Sequence, residues 1–361
     1  MKRTILFLIF LSFISSCNQD KIVYNGLGSS KIISKKQSEL IFNKIKSFPN
    51  NTQLSIALLD GGKVKYIGIQ RKNDTVSEIF NYNRVFEIGS LSKLFTSTIL
   101  ADFVIEKKLQ LDDNINGYLD FPLKNNVKIS FKQLANHTSG LPKMPNNLSY
   151  TDKRFKFREY NDEKIEDYLK NYLELSFFPG TNSSYSNIGA GILGYMLCII
   201  SNSNYENLLH KYVLQKFEMN STSTNHKDVE PYLVKGINGR GSEASKSILA
   251  SLTPAGGVLS TVEDLSKFAL AQFNPINQEL KLTRQKTYKI NNKTDQGLAW
   301  RIENNTTGKL YCHNGKTKGY SSSIALDVDR KNGVIILANV ATFRNDNKGT
   351  IEELCLSLLL N

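Results

Sequence analysis

Phe86-Glu87-Ile88-Gly89-Ser90-Leu91-Ser92-Lys93 is the stretch on which the rest of the chain turns. Gly89 closes a short β-like segment, and an apolar helical pattern begins at once with Leu91, Leu94, Phe95, Ile99 and Phe103. Ser90 therefore falls at a helix N-terminus, where free backbone N–H groups and the helix dipole favour developing negative charge. Lys93, three residues on, shares a helical face with Ser90. A lysine held among apolar neighbours loses proton affinity, so its amine can take the serine proton. The plainer reading of an S-x-x-K is a capping serine followed by a solvated lysine. Among all the serines of the chain, only Ser90 has lysine at that spacing.

Working outward, both ends of the chain are rich in β pattern. Gln53–Leu59 and Val64–Gln70 flank Asp60-Gly61-Gly62, a hairpin signal. Toward the C-terminus, Leu310–His313, Ser321–Asp329 and Val334–Val340 read as strands, the last two around a turn through Arg330-Lys331-Asn332-Gly333. A helix is expected near Ser38–Phe48 and a closing amphipathic helix over Thr350–Leu360. The middle reads as helices: Leu91–Glu106, Ile129–Ala135, Glu163–Glu174, Ile188–Ile200, Tyr205–Phe217 and Val262–Phe273. The expected fold is α/β (α+β), with one antiparallel sheet built from the two chain ends and flanked by helices. A mostly helical subdomain, about residues 100–260, is inserted in it.

The octet resembles the active-site signature of class C β-lactamases and their penicillin-binding relatives, serine acyl-hydrolases with S-x-x-K chemistry. That resemblance requires a Y-x-N and then a K-T-G or H-x-G. Tyr205-Glu206-Asn207 sits in a helical pattern and reads as a helix face, whereas Tyr185-Ser186-Asn187 follows a turn-rich loop opened by Pro179-Gly180. His313-Asn314-Gly315 supplies the third motif at the end of a strand, where most class C enzymes have lysine and threonine in place of His313 and Asn314. The resemblance implies that Ser90, Lys93 and Tyr185 are catalytic and that Ser90 forms an acyl-enzyme. It also implies that Asn187 binds a substrate amide and that the N–H groups of Ser90 and Lys316 hold the oxyanion. Gly315 fits a strand whose backbone approaches a ligand. His313 is expected to polarise the site or to meet a substrate carboxylate: as a cation it makes activity on such substrates fall between about pH 6 and 8, whereas a neutral, hydrogen-bonding imidazole leaves all substrates one pH profile.

Leu134–Pro142 and Pro254–Thr261 also resemble family segments, and His137 is expected to be a structural, hydrogen-bonded residue. Class C enzymes often place a glutamine upstream of that first segment to hold the substrate amide. Val127 stands near its place, which implies weak cephalosporin hydrolysis. Trp300 is expected in the core. The expected reaction is hydrolysis of a β-lactam. The alternatives are a DD-peptidase or carboxylesterase of the same superfamily, and a membrane-tethered penicillin-binding protein without turnover.

Composition narrows the remaining classes. The chain has 361 residues, a formal charge of +13 and 40% hydrophobic residues, enough for a packed core. Its basic residues are scattered, with no aromatic-interleaved motif, so no nucleic-acid partner is expected. Four cysteines and four histidines show no C-x-x-C and no H-E-x-x-H, so no metal is expected, and the resemblance implies that no organic cofactor is needed either. Lys2 and Arg3 precede the apolar run Ile5–Ile14, which is too short to span a bilayer. The run ends in Ile14-Ser15-Ser16-Cys17, which resembles a bacterial lipobox. That implies a signal peptide over 1–16, lipidation of Cys17, a tether over 17–34 and a catalytic domain over 35–361. The expected mature protein is a monomer, lipid-anchored in the cell envelope and facing the periplasm or exterior.

Overall fold

The structure, a computed structural model, describes residues 22–148, 157–306, 308–341 and 351–361. Cys17 and the leader expected before it lie outside the described residues. After a two-residue strand β1 (Tyr24–Asn25), helix α1 (Lys35–Ile45) begins at a Ser34/Gln37 capping box and leads into the hairpin β2 (Gln53–Asp60) and β3 (Lys63–Lys72). Gly61 and Gly62 both have positive φ, the conformation a tight two-residue hairpin turn needs. Then come β4 (Thr75–Ile79), β5 (Phe86–Glu87) and α2 (Ser92–Ile105). The chain returns through β6 (Leu259–Ser260), β7 (Tyr288–Lys289), β8 (Thr294–Gln296), β9 (Arg301–Asn305), β10 (Gly308–Lys316), β11 (Ser321–Asp327) and β12 (Asn332–Ala338).

Ten of these strands form one sheet among the described residues, in the order β1-β4-β3-β2-β12-β11-β10-β9-β8-β7. All neighbours are antiparallel except β1 with β4. The β2–β12 pairing joins the two chain ends at the centre of the sheet, with Ile56 opposite Ile336. Alternation sorts the side chains onto two faces. Leu54, Ile56, Ile336 and Ala338 join α1 and the C-terminal helix Ile351–Leu359 in one apolar cluster. Ala57, Leu59, Ile335 and Leu337 face the larger cluster built on α2, which is buried from Ser92 to Phe103. Trp300 is fully buried in that second cluster.

The α/β fold with a large sheet flanked by helices is thus as expected, with four local differences. The turn before β12 falls earlier, at Val328–Lys331, because Asn332 already pairs with Asp327. Phe131–Ala135 starts at the Ser130 capping box rather than at Ile129. The expected helices Glu163–Glu174 and Tyr205–Phe217 are short α-helices, Asp162–Asp167 and Tyr205–Leu209, each running into a π-turn. The edge strands β4 and β7–β9 and the helix Gln278–Thr283 carry too weak a pattern to be expected from sequence.

Candidate active site

Ser90 lies in a 3₁₀ turn, Gly89–Leu91, that leads directly into α2. Gly89 has φ +53°, and a Cβ there would sit 2.6 Å from the Lys316 nitrogen on β10. The turn is therefore pressed against the end of β10, and only glycine allows it. Ser92, the other serine of the octet, is structural: its hydroxyl donates to Gly89 O at 2.7 Å and accepts from Val258 N at 3.1 Å.

Lys93 is 2% exposed. Its Nζ donates to Ala255 O at 2.6 Å, Asn187 Oδ1 at 2.8 Å and Ser90 Oγ at 3.4 Å. Burial, with the nearby Lys143 charge adding to it, holds its pKa well below the usual lysine value. Lys93 is thus a desolvated amine beside Ser90. Its neighbour Ala255 belongs to the Pro254–Thr261 segment, which β5–β6 pairing pins beside the octet.

Tyr185 arrives from a loop 95 residues along the chain, and its hydroxyl donates to Ser90 Oγ at 2.6 Å. Its ring is 38% exposed, while burial of its inward end pushes the phenol up to about 12. Lys93 Nζ lies 4.7 Å from the ring centroid. Two segments hold this loop in place. His137, buried and at φ +62°, accepts the Ser186 N–H on Nδ1 at 3.4 Å, and its ring lies 4.6 Å from that of Tyr185. Backbone bonds from Ser184 N to His137 O and from Asn187 N to Lys143 O complete the pairing. His137 is thus hydrogen-bonded as expected, and it also braces Tyr185. The competing Tyr205 is a helix residue whose hydroxyl bonds Thr96.

The third motif lies on β10, where His313 and Gly315 pair with Ile324 and Ser322 of β11. His313 is 8% exposed, and burial, followed by the Lys93 charge, pushes it down to about 3. That direction favours the neutral imidazole, whose Nδ1 lies 2.9 Å from Asn314 O. Gly315 makes room for the protein, since a Cβ there would overlap Ile88 O and the Ser322 hydroxyl, and it also lines the cavity beside His313 and Tyr185. Val127, too, packs with the core and lies outside the walls of both cavities at the site. Met144, whose Sδ is 3.2 Å from Asn187 Nδ2, is the side chain beside the amide of Asn187.

Those two cavities meet at Ser90, Asn187 and Lys316. One, about 490 Å³, is walled by Met144, Phe157, Ile248, Leu249, Leu252 and Ala255 together with Arg158, Lys246 and Lys318. The other, about 680 Å³, has a mixed lining that includes His137, Lys143, Tyr185, Gln296, His313 and Asn314. The apolar wall was not read from the sequence, because its residues come from three separate segments without a shared motif. Among the described residues no group of acidic, histidine and cysteine side chains is arranged to hold a metal ion.

Known proteins resemble this chain in sequence and in fold. The Beta-lactamase family model matches residues 45–354. This chain belongs to the Beta-lactamase family. It is 26% identical to "Beta-lactamase" of Pseudomonas fluorescens over 79% of this chain and 88% of that protein. It is 25% identical to "Protein flp" of Staphylococcus aureus over 79% of this chain, but spans only 59% of that longer protein. Among solved structures, it is similar to a Beta-Lactamase/D-Alanine Carboxypeptidase from Pseudomonas syringae, with TM-score 0.73 and 21% identity over 90% of this chain and 97% of the other. The octameric penicillin-binding protein homologue from Pyrococcus abyssi gives TM-score 0.74 and 22% identity over 90% and 77%. The family's serine-hydrolase fold is therefore the fold of this chain.

Proposed function

We propose that the protein is a serine hydrolase that works through an acyl-enzyme on Ser90, with β-lactams as a substrate class and a class C-like arrangement of motifs. The observation that carries this reading is the line Tyr185 Oη–Ser90 Oγ–Lys93 Nζ, at 2.6 and 3.4 Å. Tyr185, with its pKa pushed up to about 12, is a neutral phenol near pH 7 and a proton donor. Lys93, with its proton affinity lowered by burial, is the base. In the proposed reaction Lys93 takes the Ser90 proton and Oγ attacks the carbonyl carbon. The N–H groups of Ser90 and Lys316 stabilise the oxyanion. The C–N or C–O bond then breaks, and the leaving atom takes a proton from Tyr185, whose phenol regains it from the Lys93 ammonium. Water hydrolyses the ester by the reverse sequence. In this reading Asn187 binds a substrate amide, which its bond to Lys93 and its position at the junction of the two cavities support.

A second reading, ester or neutral-peptide hydrolysis, is favoured by His313. A neutral imidazole stands where a lysine would offer a fixed positive charge, which suits substrates lacking a carboxylate at that point. Steady turnover of a chromogenic cephalosporin, set against that of a short acyl ester, decides between the two. A persistent mass adduct without turnover of either supports instead a penicillin-binding protein that only traps. Attachment to a membrane through a lipid on Cys17 is part of the same proposal. The lipobox-like sequence supports it, and no described helix is long and apolar enough to cross a membrane.

A further inference from the structure

A groove of about 690 Å³ shares no lining residue with either cavity at Ser90. It lies at the corner of the sheet where β2 begins and β3 ends. Alternation puts Gln53 on the same face as Ala57 and Leu59, and the register sets Gln70 directly opposite it. Two segments beside this corner carry exposed rings that line the groove: Phe80 is 73% exposed and Tyr232 57%. The segments are tied together at Val85, whose N–H donates to Tyr232 O at 3.0 Å and whose carbonyl accepts from Val234 N at 2.9 Å. Phe80 is propped edge-on by Tyr82, 4.6 Å away between centroids, and Tyr82 in turn stacks on Tyr66. From these held rings and the amides between them we infer that the groove binds a neutral oligosaccharide, at a site separate from the catalytic serine.

The lining answers the chemistry of a sugar. A pyranose ring offers an apolar face of C–H bonds, which an aromatic ring can cover, and a rim of hydroxyls that each donate and accept. Side-chain amides suit such a rim, because each carries donors and an acceptor in one plane. Asn81 and Asn339 are committed to building the floor. Asn339 Oδ1 accepts from Gln53 N at 2.6 Å and its Nδ2 donates to Lys235 O at 2.8 Å, while Asn81 Nδ2 donates to Gln53 Oε1 at 3.3 Å. Gln53 Nε2 and the amide of Gln70 have no hydrogen bond within the protein among the described residues, which leaves them for a ligand. Charge argues against a polyanion, since Lys235 is paired with Glu243 at 3.3 Å and Arg84 is the remaining cation of the lining. The lining also runs on from Glu243 into Ser245–Leu249, which walls a cavity at Ser90, so a bound glycan and the catalytic cavity border one segment.

The test is calorimetric titration with two neutral probes, cellotetraose and tetraacetylchitotetraose, with saturation-transfer NMR on the same samples. At least one probe should bind the wild-type protein, and Phe80→Ala and Tyr232→Ala should each weaken that binding about tenfold or more. Phe80→Trp, which keeps a stacking ring, should retain the affinity, and Ser90→Ala should bind as the wild type does. Binding of neither probe, binding indifferent to both ring substitutions, or binding lost in Ser90→Ala would each overturn the proposal. If Phe80→Ala does not fold, Tyr232→Ala and Phe80→Trp still decide the matter.

Discussion

The Tyr185 hydroxyl reaches across 95 residues of sequence to donate to Ser90 Oγ at 2.6 Å, and in doing so it gives the tyrosine and Lys93 different tasks. A phenol whose pKa is pushed up to about 12 is a donor at neutral pH, and a buried lysine with lowered proton affinity is the acceptor. The two groups are separated by environment, as paired acids and bases are in enzymes that run both steps near pH 7.

Tyr185→Phe removes the donor and leaves the Ser90–Lys93 pair. Its kcat/KM should fall about 10²–10⁴-fold for amides and alkyl esters, whose leaving groups need a proton. A p-nitrophenyl ester, whose leaving group departs as the anion, should lose much less. Equal losses for both leaving groups would assign Tyr185 to shaping the site rather than to proton transfer.

The pH profile follows from the same groups. Activity should rise with pH as Lys93 loses its proton, at a pH well below the usual lysine range, and should hold until Tyr185 ionises near 12. His313, neutral above about pH 3, contributes no step between pH 6 and 8. A penicillin and a neutral ester should therefore share one profile shape over that interval, and His313→Asn should not alter that shape. A carboxylate-dependent drop between pH 6 and 8 would show that the imidazole is charged in the working enzyme.

Much of this was legible in the sequence, and the reasons are local. The octet announces a strand, a sharp turn and a helix start within eight residues, and Ser90 and Lys93 lie on adjacent turns of one helix. The Asp60-Gly61-Gly62 hairpin and the long apolar runs of β2, β11 and β12 are equally local signals. The charge state of His313 was not legible, because it follows from burial by segments distant in sequence. The packing demand on Gly315 was not legible for the same reason: the atoms that forbid a side chain there, Ile88 O and the Ser322 hydroxyl, come from a turn 227 positions earlier and from the neighbouring strand. Strands β7–β9 form because β10 offers them an edge, not because their own few residues favour it.

Gly315→Ala puts a methyl group onto Ile88 O and the Ser322 hydroxyl, separating β10 from the turn that holds Ser90. Overpacking of this kind costs typically 1–3 kcal/mol. Thermal unfolding should show a lower Tm, and acylation should slow more than the loss of stability explains. An unchanged Tm would mean that β10 and the Ser90 turn are not held together as described.

Cys17→Ser tests the proposed anchor. Membrane fractionation should find the variant released or left as an unprocessed precursor, with incorporation of labelled palmitate abolished. A wild-type mature protein that is soluble and begins downstream of Cys17 would refute the anchor.

The central claim is that Ser90 is the nucleophile, and the most direct measurement is peptide-mapped mass spectrometry after reaction with an alkyl fluorophosphonate. The wild-type protein should carry one adduct, on Ser90. The adduct should be absent from Ser90→Ala and retained in Ser92→Ala, whose hydroxyl is committed to Gly89 O and Val258 N. An adduct on any other residue of the wild-type protein, or undiminished labelling of Ser90→Ala, would contradict the account.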